Sequence, residues 1–355
     1  MAIRREDRVT RRGFLARAAV AAAMGRFPPL RTPIAVDREL DALGRANGWL
    51  NSPPLKPAEL KGKVVLVQFW TFTCINWLRT LPHVRAWADK YRAAGLVTIG
   101  VHTPEFAFEH DEGNVRRLAR ELNVGYPIAI DNDFAIWNAF RNQYWPALYL
   151  IDATGRVQHH QVGEDGFDET ERVVQKLLAD AGARQGDRQL TQVDGRGLEA
   201  TADWSSLKTP ETYVGYERGE NFASPGAALH DRSRVYAVPA ALRLNQWALA
   251  GDWAVRGGGI ALNQPGGRIA FRFHGRDLHL VMGPPTGGHP ARFRVSLDGR
   301  APGGSHGLNV DAQGNGVAGD QRLYQLIRQP TPIADRTFEI EFLDRGAEAF
   351  SFTFG

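Results

Sequence analysis

At 355 residues, with 43% apolar and 23% charged residues, 38 Gly and 20 Pro, the chain is long enough for two domains with separate cores and fits no disordered or collagen-like class. A pI of about 9.3 suggests a nucleic-acid partner until the charges are located. Within residues 1–31, Arg4, Arg5, Arg8, Arg11, Arg12, Arg17, Arg26 and Arg31 face only Glu6 and Asp7, a balance of +6 in a chain whose total is +4, which leaves about −2 for the rest. A dispersed, slightly acidic body offers no phosphate-binding stripe, so no nucleic-acid partner is expected.

The basic segment reads TRRGFLARAAVAAAMG, twin arginines followed by Phe14, Leu15 and a modest Ala-rich run. It resembles a twin-arginine export signal. The run is broken by Arg17 and falls short of the ~20 apolar residues that a spanning helix needs, and no later stretch reaches that length. A periplasmic or other extracytoplasmic protein is expected, with residues 1–31 as its signal segment and no stable membrane span after processing. A lipoprotein anchor is excluded because no cysteine lies near the segment.

From Val64 to about Ala181, strand-like runs alternate with helical patterns. VVLVQFW (64–70) reads as a buried strand, 74–93 as a helix and LVTIGVH (96–102) as a second strand. NVRRLARELN (114–123) follows as a helix, YPIAI (126–130) as a short strand and FAIWNAF (134–140) as a turn or two of helix. ALYLID (147–152) and RVQHHQV (156–162) flank Ala153-Thr154-Gly155 as a hairpin, and DETERVVQKLLADA (168–181) closes with a helix. This order implies a mixed central sheet covered by helices.

Residues 183–233 loosen into Gly-, Asp-, Arg- and Ser-rich sequence, a linker or long surface excursion. Beyond it, period-two alternation places Ile269, Phe271 and Phe273, then Phe293, Val295 and Leu297, then Phe338, Ile340 and Phe342, then Phe350, Phe352 and Phe354 on buried strand faces. Gly/Pro turns between them imply an antiparallel β-sandwich. GNGVAG (314–319) matches a dinucleotide-binding pattern by letter, but no βαβ unit surrounds it.

The chain's only cysteine, Cys74, stands at a helix start directly after a buried strand, where unpaired backbone N–H groups and the macrodipole favour an anion. The position predicts a thiol more acidic than a free one, and hence a nucleophile. Pro82 lies eight residues further along the helix, and Trp145-Pro146, an X-Pro bond able to be cis, precedes a later strand.

Strand, cysteine at the helix start, proline at +8 and Trp-Pro before the penultimate strand resemble the thioredoxin fold. More narrowly, WLNSPPL (49–55), LKGKVVLVQFWTFTCINWLRTLPHVRAW (60–87), GVHTPEF (100–106) and FSFTFG (350–355) resemble the extracytoplasmic part of DipZ-type thioredoxin-like (TlpA-like redoxin) proteins. The resemblance implies an α/β thioredoxin-like fold over 40–182, a linker over 183–203 and an all-β jelly-roll, carbohydrate-binding-module-like domain over 204–355. It further implies thiol–disulfide exchange on protein or small-molecule thiols and disulfides, with Cys74 as nucleophile, no cofactor and no metal. Thr71, Thr73, Asn76, Trp77, Glu105, Trp145 and Pro146 would form the site, and Trp247, Trp253 and Tyr324 would be sugar-stacking faces for a possible glycan.

Position 77, where the family carries a second cysteine, holds tryptophan. Two sulfurs normally divide the work, one attacking and the other resolving the mixed disulfide, so Cys74 alone starts an exchange that it cannot finish internally. Residues i and i+3 share a helix face, which leaves Trp77 either a shield over Cys74 or an indole N–H donor to its thiolate. Thr71-x-x-Cys74 also matches part of a peroxiredoxin site, although Val67 stands where that pattern has proline. Glu105 is a candidate proton acceptor for the cysteine. The leading reading is single-cysteine thiol–disulfide exchange. A redox-inactive binding protein on a degenerate scaffold and a one-cysteine peroxidase are the alternatives.

Overall fold

Strand β2 (Val64–Trp70) is buried along its whole length because both faces of its sheet are covered. Val64, Leu66 and Trp70 point into one apolar cluster, and Val65, Val67 and Phe69 into another on the opposite face. The computed structural model describes residues 38–183, 187–285 and 287–355, so the arginine-rich leader and the expected export signal lie outside it.

The sheet runs β1-β4-β3-β2-β5-β6, with β1 at Gly48–Leu50, β3 at Leu96–His102, β4 at Ile128–Ile130, β5 at Ala147–Ile151 and β6 at Val157–Val162. Strands β2, β3 and β4 are parallel, while β1, β5 and β6 pair antiparallel, the expected mixed sheet with a terminal hairpin. Helices α1 (Ile75–Tyr91), α2 (Glu112–Glu121) and α4 (Phe167–Asp180) cover one face, and α3 (Ala135–Ala139) the other. In α1 the residues Leu78, Leu81, Val84, Trp87, Ala88 and Tyr91 recur at helical spacing and are buried.

The connecting residues do not wander free. Thr191 donates from its backbone N–H and its hydroxyl to Glu171 on α4 at 2.8 and 2.7 Å, and Arg85 on α1 binds Glu199 at 2.7 Å. A buried carboxylate demands donors, and the connecting segment supplies them.

The β half is one antiparallel sheet that curls over itself, in the order β14-β13-β16-β11-β9-β10-β17-β12-β15. Its strands are β7 (Thr212–Tyr213), β8 (Ser233–Tyr236), β9 (Trp247–Val255), β10 (Ile260–Leu262), β11 (Gly267–Phe273), β12 (Asp277–Gly283), β13 (Ala291–Leu297), β14 (Asn315–Ala318), β15 (Arg322–Arg328), β16 (Arg336–Phe342) and β17 (Glu348–Phe354). Strand β9 joins the two layers, pairing with β11 through Trp247–Ala250 and with β8 and β10 beyond. Gly251 at the changeover has φ +93°, and a Cβ there would lie 2.9 Å from the Gly267 backbone, so only glycine fits. Ring pairs such as Phe271–Phe352 at 5.0 Å and Trp253–Phe342 at 5.9 Å close the core between the layers.

The core corrects one expectation. Trp247, Trp253 and Tyr324 are 2%, 0% and 1% exposed, with their polar tips bonded to the carbonyls of Glu220, Ala250 and Asp320. A ring with no solvent-facing side cannot stack on a sugar, so these three are core residues.

Both halves belong to one compact unit. Strand β17 carries a bulge, because Val281 and Met282 on β12 pair with Ser351 and Ala349 and skip Phe350. The extra residue reverses the side-chain alternation, and Phe350 packs against Phe106 and Phe108 of the α/β half at 5.4 and 4.9 Å. Tyr213, Val281 and Leu323 join the same cluster from the β half.

Candidate functional site

Cys74 is the residue that caps the N-terminus of α1. Its N–H donates to the Thr71 carbonyl at 3.2 Å, closing the turn after β2, and its carbonyl accepts the first helical bond from Leu78 at 3.1 Å. The thiol lies 3.6 Å from the carbonyl oxygen of Trp145, within hydrogen-bonding range for sulfur. The Trp145–Pro146 peptide is cis. Trp145 is fixed in turn by its Nε1–H to the Thr103 carbonyl at 3.0 Å and by packing on Trp137 at 4.3 Å. The helix start, the Trp145-Pro146 loop and the loop after β3 therefore meet around one sulfur. That sulfur is recessed, Cys74 being 5% exposed.

Trp77 does not serve as the N–H donor to the thiolate. Its ring is 0% exposed and stacks on Trp70 at 4.2 Å, and its Nε1–H donates to Gln68 Oε1 at 3.3 Å, so it is no donor to the thiolate. Gln68, itself buried, also takes the Tyr126 hydroxyl at 3.3 Å and donates to Thr80 Oγ1 at 2.8 Å. Gly100 leaves the space, since a Cβ there would stand 2.8 Å from Trp70 Nε1. The indole fills the core beneath the helix start, where the family's second cysteine would stand.

Glu105 is not placed as a free base. Its Oε1 accepts from the Tyr213 hydroxyl at 2.6 Å and from Arg218 Nη1 at 3.0 Å, and the Arg218 guanidinium lies 3.4 Å over the Tyr213 ring. The β half thus grips the loop that borders the cysteine. Asn76 is half-buried on the first turn of α1, and Thr71 is fully buried with its hydroxyl beside Glu109.

Glu109 is the site residue that sequence reasoning missed. It is 0% exposed, and its Oε1 accepts from the Thr73 hydroxyl at 2.6 Å and the Thr73 N–H at 3.3 Å. Its Oε2 accepts from the N–H groups of Glu105 and Phe106 at 2.7 and 2.9 Å. Burial raises its pKa to about 7, against the opposing pull of the Thr71 and Thr73 hydroxyls. In sequence it is one carboxylate among several in EFAFEHDE, with no spacing that marks it.

Three further groups surround the helix. Arg79 and Glu164 form a buried ion pair at 3.0 Å, and burial lifts Glu164 to about 7 against the attraction of Arg79. The end of β17 lies on that guanidinium, because a Cβ on Gly355 would come within 2.0 Å of Arg79 Nη2. His102 is buried between Trp70 and Phe72, and desolvation lowers its pKa to about 3. Among the described residues no cluster of three or more metal-ligating side chains forms, and no helix is long and apolar enough to cross a membrane.

This geometry of strand, cysteine-capped helix and cis-proline loop defines a redoxin. Residues 50–160 match the AhpC/TSA family and residues 209–355 the thioredoxin-like C-terminal domain family. Thiol-disulfide oxidoreductase YkuV of Bacillus subtilis is 33% identical over 132 residues, which is 37% of this chain and 88% of that protein. A solved thioredoxin-like protein in its oxidised form is 34% identical, spans 38% of this chain and 90% of its own, and superposes with a TM-score of 0.35. The chain belongs to the thioredoxin-like family and is thiol–disulfide oxidoreductase-like in its α/β half. It is also similar to the DipZ proteins of Mycobacterium bovis and Mycobacterium tuberculosis, each 39% identical over 318 residues, 87% of this chain. The chain spans only 41% of their length.

Proposed function

We propose that the protein is an exported, single-cysteine thiol–disulfide exchange protein acting on protein or small-molecule disulfides. The Cys74 thiolate attacks one sulfur of a substrate disulfide, the S–S bond breaks, and the other sulfur leaves as thiolate, which gives a mixed disulfide on Cys74. An external thiol then attacks that bond: at the substrate sulfur it frees the Cys74 thiolate and joins the substrate in a new mixed disulfide, and at the Cys74 sulfur it releases the reduced product and remains on Cys74 until a second thiol displaces it. The Trp145-Pro146 loop lines the groove in which the substrate strand would lie.

The observation that supports this reading is the pairing of a thiol at a helix N-terminus beside the cis-proline loop with a position 77 filled by a core indole. Export is supported by the twin arginines alone. The test is to mix the protein with oxidised glutathione or a peptide disulfide and read intact mass. A covalent adduct that persists until a small thiol is added is expected, and its absence in the folded protein would overturn the reading. The 5% exposure of Cys74 favours one rival, a binding protein on the same scaffold. In that case the thiol reacts only after unfolding.

A further inference from the structure

We propose that Glu109 is a positioning residue for the chemistry of Cys74: its carboxyl group fastens the Thr73–Cys74 turn to the loop after β3 and sets the charge beside the sulfur. The proposal rests on the reading of Cys74 as a nucleophile.

The geometry comes first. Four donors, the Thr73 N–H and hydroxyl and the N–H groups of Glu105 and Phe106, converge on the two oxygens of a side chain with no solvent exposure. Three of them are backbone amides, which can only donate, so the acceptor must keep lone pairs towards them whatever its protonation state. The hydroxyl of Thr73 is the exception, since it can rotate and accept. A proton on Glu109 is therefore accommodated at Oε1 by reversing the 2.6 Å bond to Thr73, with the bonds to Glu105 and Phe106 intact. The site holds both forms of the acid, and the bond that reverses belongs to Thr73, the residue before the nucleophile.

The charges around it fix which group titrates. Glu105, on the same loop, is bound by Tyr213 and Arg218 from the β half. His102, at the end of β3, is held neutral by burial, and His110 is the next residue in the chain. Burial places the Glu109 transition at about pH 7. A carboxylate formed there, hydrogen-bonded to the residue next to Cys74, opposes a thiolate at the helix start, so ionisation of the acid and of the thiol are anticooperative. Below about pH 7 the neutral acid leaves the helix N-terminus to favour the thiolate; above it the new charge works against the helix.

The test is the rate of iodoacetamide alkylation of Cys74 against pH in the full chain, with Glu109→Gln and Thr73→Val compared to wild type. Glutamine can place its carbonyl towards Glu105 and Phe106 and its amide towards the Thr73 hydroxyl, losing only the long 3.3 Å bond, so the variant should fold. Wild type should show a rate that climbs less steeply once pH passes about 7. Glu109→Gln should give a simple one-thiol curve and react about three- to tenfold faster at pH 8, as expected for removing one nearby charge. Thr73→Val removes a hydrogen bond that favours the carboxylate, so the bend should move to higher pH. Folded variants whose profiles superimpose on a reactive wild type would overturn the role of Glu109 alone. A Cys74 that reacts in none of the three until unfolded would overturn the single-cysteine reading, and this role with it.

Discussion

Replacing Trp77 with cysteine restores the second sulfur of the family pattern, and the structure sets the cost. The indole is 0% exposed, stacked at 4.2 Å on Trp70 and hydrogen-bonded to Gln68. Removing a buried tryptophan side chain costs about 3–5 kcal/mol, part of it lost transfer energy and part cavity. The hydrogen bond adds little, because Gln68 Oε1 keeps the Tyr126 hydroxyl at 3.3 Å and no buried acceptor is orphaned. Trp70 also keeps its edge contact with His102 at 4.8 Å. The reduced variant should thus melt roughly 10 °C below wild type, taking ~4 kcal/mol at about 2–4 °C per kcal/mol.

Function should change in the opposite sense. Cys74 and the new thiol would occupy the first turn of one helix, and an oxidant should close them into an internal disulfide, read as the loss of two free thiols with no dimer. Insulin-disulfide reduction driven by dithiothreitol should then turn over faster than with wild type, whose mixed disulfide has no internal thiol to resolve it and must wait for the external one. Trp77→Phe, which keeps an apolar ring and loses the N–H, is the packing control and should lose only about 1 kcal/mol. If Trp77→Cys folds but neither closes a disulfide nor gains reductase turnover, the site has diverged beyond that one residue and the exchange reasoning fails.

Replacing Arg11 and Arg12 with lysine should retain the protein in the cytoplasm, as followed by fractionation; unchanged export would remove the twin-arginine assignment. His102 has a pKa of about 3 against an ordinary 6.5, so the unfolded chain binds its proton first as pH falls and stability is lost through that window. His102→Phe should therefore gain on wild type by about 3 kcal/mol between pH 7 and pH 4.5 in urea titrations, and a pH-independent difference would contradict it. Glu164, raised to about 7 from 4.5, has the opposite sign and should cost stability as pH rises from about 4.5 to 7, a slope that Glu164→Gln removes. Cutting the chain before residue 209 exposes Phe106 and Phe108, each 7% exposed in the full chain. At about 1.5–3 kcal/mol per side chain, the shortened protein should lose on the order of 5 kcal/mol, and an unchanged melt would show that the halves are independent.

The elements of the α/β half were legible because their patterns have physical causes that act locally. Strands β2 and β3 fall on the expected residues 64–70 and 96–102, since only a strand covered on both faces needs an unbroken apolar run. Helix α2 begins at Glu112, two residues before the sequence reading, because the Asp111 side chain caps it by accepting the Asn114 N–H at 2.8 Å. Cys74 at a helix start and Pro146 beside it were also readable, as both follow from order along the chain.

What stayed hidden was direction. Alternation puts Phe350 with Phe352 and Phe354, yet one bulge turns it out to the other half, and a bulge leaves no mark in an alternating pattern. Trp247 and Trp253 could be read as binding faces or as core, because a strand aromatic has the same spacing in either place, and burial makes them core. Spacing put Trp77 on the same helix face as Cys74 but could not show that Trp70 and Gln68 draw the indole inward. Glu105 and Glu109 differ by four residues and by nothing else in composition, but one meets Tyr213 and Arg218 from the β half while the other meets the turn that holds the cysteine. The loop between them is therefore gripped from both sides, and a domain that begins more than a hundred residues later reaches the border of the thiol through the Glu105 carboxylate as well as through the packing of Phe350 on Phe106 and Phe108. Contacts of that kind are set by tertiary packing, where the energy of a buried charge depends on donors that only the finished fold brings together.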